Sequence, residues 1–390
     1  MFVYLDNNAT TGVAKEVLET MLPYLQEEYG NPSSMYEFAR RPIRAVETAR
    51  RLVAEFLGAA YEDEIIFTSC GSESDSTAIL GSLQAQIPPS QGGRDEVIVS
   101  DVEHPAVFNL RKHLERMGYT VKVLPVNKSG LVETAALEKV ISEKTALVSV
   151  MYANNETGCI MPIAELTEIA HRFGALMHTD AVQAAGKIKL DVQKLNVDML
   201  GISGHKIHAP KGVGALYLKR GTSFRPFLAG GHQERGRRAG TENVASIAGL
   251  GKACEMASEA LEYEQTEIRR LRDKLEAGLL TIPYSYLNGD KEKRTPNTTN
   301  ISFEFIEGEA ILLSMSDKGI CASTGSACSS ESLEPSHVLL AQGLPAKLAH
   351  SAVRFSLSRY TTESEIDYVI AEMPKVIERI RAMSPFWHGN

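Results

Sequence analysis

Through the first two thirds of the chain, apolar positions fall alternately into helical stripes and short strand-like runs. "PIRAVETARRLVAEFLG" (42–58) places Ile43, Val46, Val53, Phe56 and Leu57 on one stripe. Pro42 suits a first helical position there, and Gly58 suits a stop. "DEIIFTS" (63–69) reads as a buried strand, "STAILGSLQA" as a helix, "EVIVS" as a strand and "AVFNLRKHLERMG" as a helix closed by Gly118. "YTVKVLPV", "TALVSVMYAN", "ALMHTDAV" and "VDMLGISGHK" continue the strands, with "PIAELTEIAHRFG" among the intervening helices. This alternation predicts a mostly parallel sheet covered by helices. Ligands of such sheets bind beyond the carboxyl ends of the strands. The polar endings "FTSCGS", "SDVEHP", "YANNETG", "HTDAVQ" and "SGHK" should therefore converge on one rim.

From about residue 243 the pattern changes. A long helical stretch, "NVASIAGLGKACEMASEALEYEQTEIRRLRDKLEAGLL", precedes the strand-like "NTTNISFEF", a helix "EGEAILLSMSDKG", and the strand "AVRFSLS". The final helix opens on Thr362-Glu363-Ser364-Glu365, a capping-box pattern. Separate strands and helices predict a smaller α+β domain. The expected division is a large unit over 15–260 and a small one made of 1–14 with 261–390.

Composition narrows the function. A hydrophobic content of 43% and a charged content of 23% over 390 residues are those of a globular protein. A net charge of −8 argues against nucleic acid or an anionic membrane as main partner, although "ERGRRAGTEN" (234–243) is locally basic. No apolar run approaches a membrane span, and "MFVYLDNNATT" lacks a basic leader region. The five scattered cysteines, an odd number, suit reduced thiols and a cytoplasmic location.

Lys206 ends a strand among small residues in "GISGHKIHAPKGVGALY" (201–217), where a partly desolvated amine would suit Schiff-base chemistry. Pyridoxal phosphate needs three further groups: a carboxylate for its ring nitrogen, a phosphate cradle and a flat group over the ring. Asp180 is a candidate carboxylate, although a helix N-cap at that strand end is a serious alternative. "TSCGSESDSTAI" (68–79) offers strand, small hydroxyl residues and helix start, an arrangement that favours an anion. No GxxxxGK[ST] or GxGxxG occurs, so nucleotide readings lose ground. His104 in "DVEHPAV" is the candidate stacking group. In "CASTGSACSS" (321–330), Cys321 and Cys328 stand in a run of small polar residues suited to a mobile nucleophile.

The motifs "YLDNNATT", "NPSS", "EHPAV", "YANNETG", "HTDAVQ", "SGHKIHAPKGVGALY", "RAGTEN", "PNTTNISF" and "GSACSS" together resemble the NifS/IscS-type cysteine desulfurases. The resemblance runs from residue 4 to about 370, and "CASTGSACSS", "LEPSHVL" and "VRFSLSRYT" are most similar to the long-loop group of NifS type. It implies the fold type I of pyridoxal phosphate enzymes, which is aspartate-aminotransferase-like, and a homodimer. Lys206 matches the lysine that carries the cofactor, Asp180 its ring-nitrogen partner and His104 the stacking acid–base group. Gln183 and Asn155 would contact the cofactor, with Asn155 also near the substrate carboxylate. Gly71, Ser72, Ser203 and His205 would hold the phosphate, joined by Thr241 of the other subunit. Arg354 matches the clamp on the substrate carboxylate. Cys328 matches the catalytic cysteine, with Cys321 structural. The implied reaction turns L-cysteine into L-alanine and leaves a persulfide on Cys328. A scaffold of the NifU/IscU kind is the implied acceptor, and Cys328 could transiently ligate an iron–sulfur cluster with it; no resident metal is implied.

The chain departs from the pattern in one place. Relatives often read "SGATESNN" where this chain reads "SCGSESDS", so Cys70 replaces a glycine and Asp75–Ser76 replace two asparagines. An inward-pointing Asp75 would oppose a phosphate. Rival readings are a selenocysteine lyase, a small aminotransferase and a thiol-based sulfur or metal carrier. The carrier is disfavoured because the cysteine spacing is not CxxC and no HExxH occurs.

Overall fold

The computed structural model describes residues 1–324 and 334–387. Cys328 lies outside the described residues. Twelve strands are used below: β1 Val3–Tyr4, β2 Ile65–Thr68, β3 Glu96–Ser100, β4 Thr120–Leu124, β5 Thr145–Ser149, β6 Leu176–Asp180, β7 Met199–Ser203, β8 Gly214–Leu218, β9 Ser285–Asn288, β10 Thr298–Phe303, β11 Ile320–Cys321 and β12 Ala352–Ser356.

Seven of them form one sheet in the order β2-β8-β7-β6-β5-β3-β4. The parallel pairings run from β7 through β4, whereas β8 is antiparallel to both β7 and β2. Two antiparallel steps restore direction, so β2 runs with β7 and its carboxyl end reaches the same edge. Side chains alternate between two apolar layers. On β2, Ile65 and Phe67 enter one core and Ile66 the other; on β3, Ile98 faces opposite to Val97 and Val99. Because both faces are covered, these strands read as continuous apolar runs rather than alternating ones.

The helix Arg40–Leu57 begins two residues before Pro42, through a preceding 3₁₀ turn, and ends at Gly58 with φ 69°. It buries Val46, Ala49 and Val53 on the first layer, and the helix Gly71–Gln84 buries Ala78, Ile79 and Leu83 on the second. The segment 106–118 forms two short helices, Pro105–Phe108 and Arg111–Arg116. The stretch 243–280 is likewise interrupted: Val244–Glu259 passes through a wide turn at Glu264–Ile268 before Arg269–Leu279.

A separate core joins the two ends of the chain. Val3 and Leu5 pack with Leu271, Leu275, Phe303, Phe355 and Ile377. Around it lie the antiparallel sheet β12-β10-β9 and the parallel pair β1–β11. The final helix, Glu363–Met383, starts with the expected capping box: Glu365 N–H donates to the Thr362 hydroxyl and Thr362 N–H to the Glu365 carboxylate. No described helix is long and apolar enough to cross a membrane.

Candidate functional site

Five strand ends do meet on one rim. The turns after β2, β3, β5, β6 and β7 line a cavity of about 310 Å³ that contains Gly71, Ser72, His104, Asn155, Asp180, Gln183, Ser203, His205, Lys206 and Arg354. Ten of the residues expected from the sequence are therefore together. Thr241 is exposed and outside the cavity.

Lys206 closes the 3₁₀ turn Gly204–Lys206 that follows β7. Its Nζ donates to the backbone oxygens of Asn8 at 2.6 Å and Ala9 at 2.7 Å. Asp180 is the last residue of β6, 4% exposed, and accepts from Val182 N–H at 2.8 Å. Burial pushes its pKa up, while the charges of His104 and Lys206 pull the other way. A cationic ring nitrogen beside Asp180 would offset that desolvation. Asp180 does not cap a regular helix, so the N-cap alternative is not what the structure contains.

His104 caps the helix Pro105–Phe108 by accepting from Ala106 N–H through Nδ1 at 3.1 Å. Burial holds its pKa below the usual histidine range, which leaves a neutral ring with its proton on Nε2. His205 is neutral as well, its pKa lowered to about 4 by burial, with Nδ1 3.1 Å from Thr10 Oγ1.

The cradle opens the helix Gly71–Gln84. A Cβ at Gly71 would lie 2.8 Å from Val182 Cγ2, so a larger residue there would require that side chain of the β6 turn to shift. Ser203 Oγ and Gln183 Oε1 are buried without a hydrogen-bond partner among the described residues. A buried polar group so left is costly unless something else answers it. A phosphate accepting from Ser203 Oγ and an N–H or O–H of the cofactor donating to Gln183 Oε1 would do so. The residues present fit pyridoxal phosphate.

Arg354 on β12 is 4% exposed. Nη2 pairs with Asp6 Oδ1 at 2.7 Å, Nη1 donates to Asn155 O at 3.0 Å, and Nε has no partner among the described residues. Both Nη atoms are thus held, which sets the guanidinium plane at the cavity edge before a carboxylate arrives. Arg354→Ala is expected to lower kcat/KM for L-cysteine by about 10²–10³-fold, on the scale of truncating a buried charged contact. Steady-state alanine formation measures it; a change under fivefold would remove Arg354 from substrate binding.

Asp6 and Asn8 were not singled out from the sequence. Asn8 O also accepts from Gln183 Nε2 at 3.0 Å, and Asn8 Nδ2 donates to Thr298 Oγ1 at 2.9 Å and Asn155 O at 3.2 Å. Asn8 Oδ1 accepts from Asn297 Nδ2 at 3.1 Å. Their signal was the polar run "DNN" directly after the first strand. The basic stretch 234–243 is tied to other parts of the fold. Arg50 forks onto Glu234 at 2.7 and 2.8 Å, and Arg238 binds Glu73 at 2.8 Å beside the cradle.

Of the described thiols, Cys159 and Cys254 are buried with pKa pushed up by burial, and burial also raises that of Cys321. Cys70 lines the cavity. No cluster of three or more metal-ligating side chains occurs among the described residues.

A profile of the class-V aminotransferases matches residues 3–369. The cysteine desulfurase NifS of Azotobacter vinelandii is 55% identical over 389 residues, covering 100% of this chain and 96% of the relative. A cysteine desulfurase of Trichormus azollae is 57% identical over 385 residues, 98% of this chain and 95% of that one. Among solved structures, a NifS-like protein superposes with a TM-score of 0.91 at 38% identity, covering 97% and 100% of the two chains. Another from Rickettsia africae gives 0.87 at 30%, again over 97% and 100%. Fold and cavity define a pyridoxal phosphate-dependent enzyme of fold type I. The chain belongs to the class-V aminotransferase family and, within it, to the NifS-type cysteine desulfurases.

Proposed function

We propose that this cavity removes sulfur from L-cysteine and passes it to Cys328 for iron–sulfur cluster assembly. The observation that carries the reading is the meeting of Lys206, Asp180 and Arg354 in one cavity: an amine, a buried carboxylate and a carboxylate clamp. Pyridoxal phosphate, when bound, supplies an electron sink for the bonds at the substrate Cα. Lys206 holds it and takes the Cα proton on Nζ. Asp180 would pair with its ring nitrogen, and neutral His104 would lie against the ring and move protons at Nε2. Arg354 and Asn155 orient the substrate carboxylate. Gly71, Ser72, Ser203 and His205 hold the phosphate, with Thr241 arriving from a second copy.

The Cys328 thiolate attacks the substrate sulfur. An S–S bond forms, the Cβ–S bond breaks, and Cβ keeps the electron pair and is then protonated. L-cysteine and a thiol become L-alanine and a persulfide, with no external oxidant or reductant. Burial of Cys159 and Cys254 supports Cys328 as the working thiol.

A homodimer is supported by exposed Thr241 and by the exposed apolar Leu18, Leu25, Tyr29 and Met35. A NifU/IscU-like scaffold as acceptor, a role in nitrogen fixation and a cytoplasmic setting complete the reading. The division into 15–260 and 1–14 with 261–390 is supported by the separate apolar cores.

The test is peptide mass spectrometry after brief exposure to L-cysteine, with borohydride trapping. A pyridoxyl group on Lys206 and one added sulfur on Cys328 are expected. Label on Lys206 with unmodified Cys328 would move the activity to a lyase or aminotransferase.

A further inference from the structure

Asp75 lies one turn into the helix Gly71–Gln84, is 1% exposed, and lines the same cavity beside the cradle. Its Oδ1 faces His178 Nε2 at 3.5 Å, and neither atom has a hydrogen-bond partner among the described residues. His178, on β6 two residues before Asp180, is fully buried, and its Nδ1 lies 2.9 Å from Ser149 Oγ. Glycine at 201 leaves this carboxyl its room, since a Cβ there would come within 2.7 Å of Oδ1.

We propose that Asp75 is a proton-bearing carboxylic acid, paired with His178 in the floor of the cavity, so that no negative charge opposes a phosphate in the cradle above it. It is a positioning residue, and the inference rests on the reading of the cavity as the cofactor site. Three facts support it. A carboxylate there would be desolvated by burial. The titratable groups that act on it are Asp180 and His178 from β6, Glu103 after β3 and Cys70 at its own helix start; none of them is a fixed cation. Burial and the neighbouring carboxylates push the Asp75 pKa well up, and burial lowers that of His178 to about 3, so the proton belongs on the acid.

The test is proton linkage. An acid protonated in the fold but ionised when unfolded makes the folded state lose stability as pH rises above the ordinary carboxylate pKa of about 3.9. Above the ordinary carboxylate range, the unfolding equilibrium constant of the wild type relative to Asp75→Asn should grow as pH rises, approaching about tenfold per pH unit while the folded acid keeps its proton. Urea unfolding of the cofactor-free full chain measures it. A ratio independent of pH would show an ionised Asp75 and overturn the proposal. Should Asp75→Asn fail to fold, Asp75→Ser provides the same comparison.

Cofactor affinity gives the second readout. A neutral Asp75 predicts no gain in pyridoxal phosphate affinity for Asp75→Asn at pH 7.5. Tightening of about tenfold or more, the scale of removing one nearby like charge, would equally overturn the proposal. Failure of the wild type to bind pyridoxal phosphate would instead fault the cofactor reading, and the linkage slope would still decide the state of Asp75.

Discussion

Lys206→Ala is expected to lower the rate of alanine formation by at least about 10³-fold, within the range found for removing a proton-transfer group. The amine is placed by two backbone oxygens, Asn8 O at 2.6 Å and Ala9 O at 2.7 Å, and neither can take its role. His104 is the nearest substitute base in character, but its Nδ1 is committed to Ala106 N–H. The same variant should show no pyridoxyl label after borohydride reduction. The effect on folding should be smaller, because Asn8 O keeps its bond from Gln183 Nε2. Turnover within tenfold of wild type would mean that the lysine carrying the chemistry lies elsewhere.

The second large effect concerns the thiol. Cys328→Ala should retain the yellow cofactor and still lose sulfur release by about 10²–10⁴-fold, the scale on which single catalytic groups act. Retention follows because the described residues that fit the cofactor, Lys206, Asp180, Gln183 and Ser203 among them, are unchanged in that variant. Cys70 is the informative control, since it is the described thiol that lines the cavity. If Cys328→Ala keeps releasing sulfide and Cys328→Ala/Cys70→Ser does not, the nucleophile has been misassigned. Serine at 328 should fare no better than alanine, because a hydroxyl neither ionises near neutrality nor readily accepts sulfane sulfur.

How far the sequence revealed the molecule depended on the range of the forces involved. The strand Glu96–Ser100 and the capping box at Thr362 were legible because neighbouring residues alone determine them. The rim was legible too, since each polar ending follows its own apolar run. The antiparallel strand Gly214–Leu218 was not assigned, because "GALYL" is equally apolar in either direction and only pairing with β7 and β2 orients it. The helix Lys15–Gln26 was missed; Pro23 reads as a breaker, yet it sits in the last turn and the helix ends soon after. Helix Gly71–Gln84 starts five residues earlier than its apolar pattern suggests, and Cys70 supplies no side-chain cap there. Within the site, residues following strands were legible one by one. Asp6 and Asn8 stand in a local polar run, but their roles come from partners far along the chain, which that run does not record.

Those partners impose an order in time. Asn8 N–H donates to Ser356 Oγ at 2.9 Å, across 348 positions, and Asn297 reaches Asn8 across 289. On a ribosome moving at about 5–20 residues per second, the first ten residues wait roughly 20–70 s for the strand that fixes them. The lysine whose amine rests on Asn8 and Ala9 cannot take up its final position before then. The sheet can form early and bury its core, but a nascent chain halted before residue 356 should be a stable body without a finished cavity. Cofactor capture is thereby reserved for chains that have been made almost to the end.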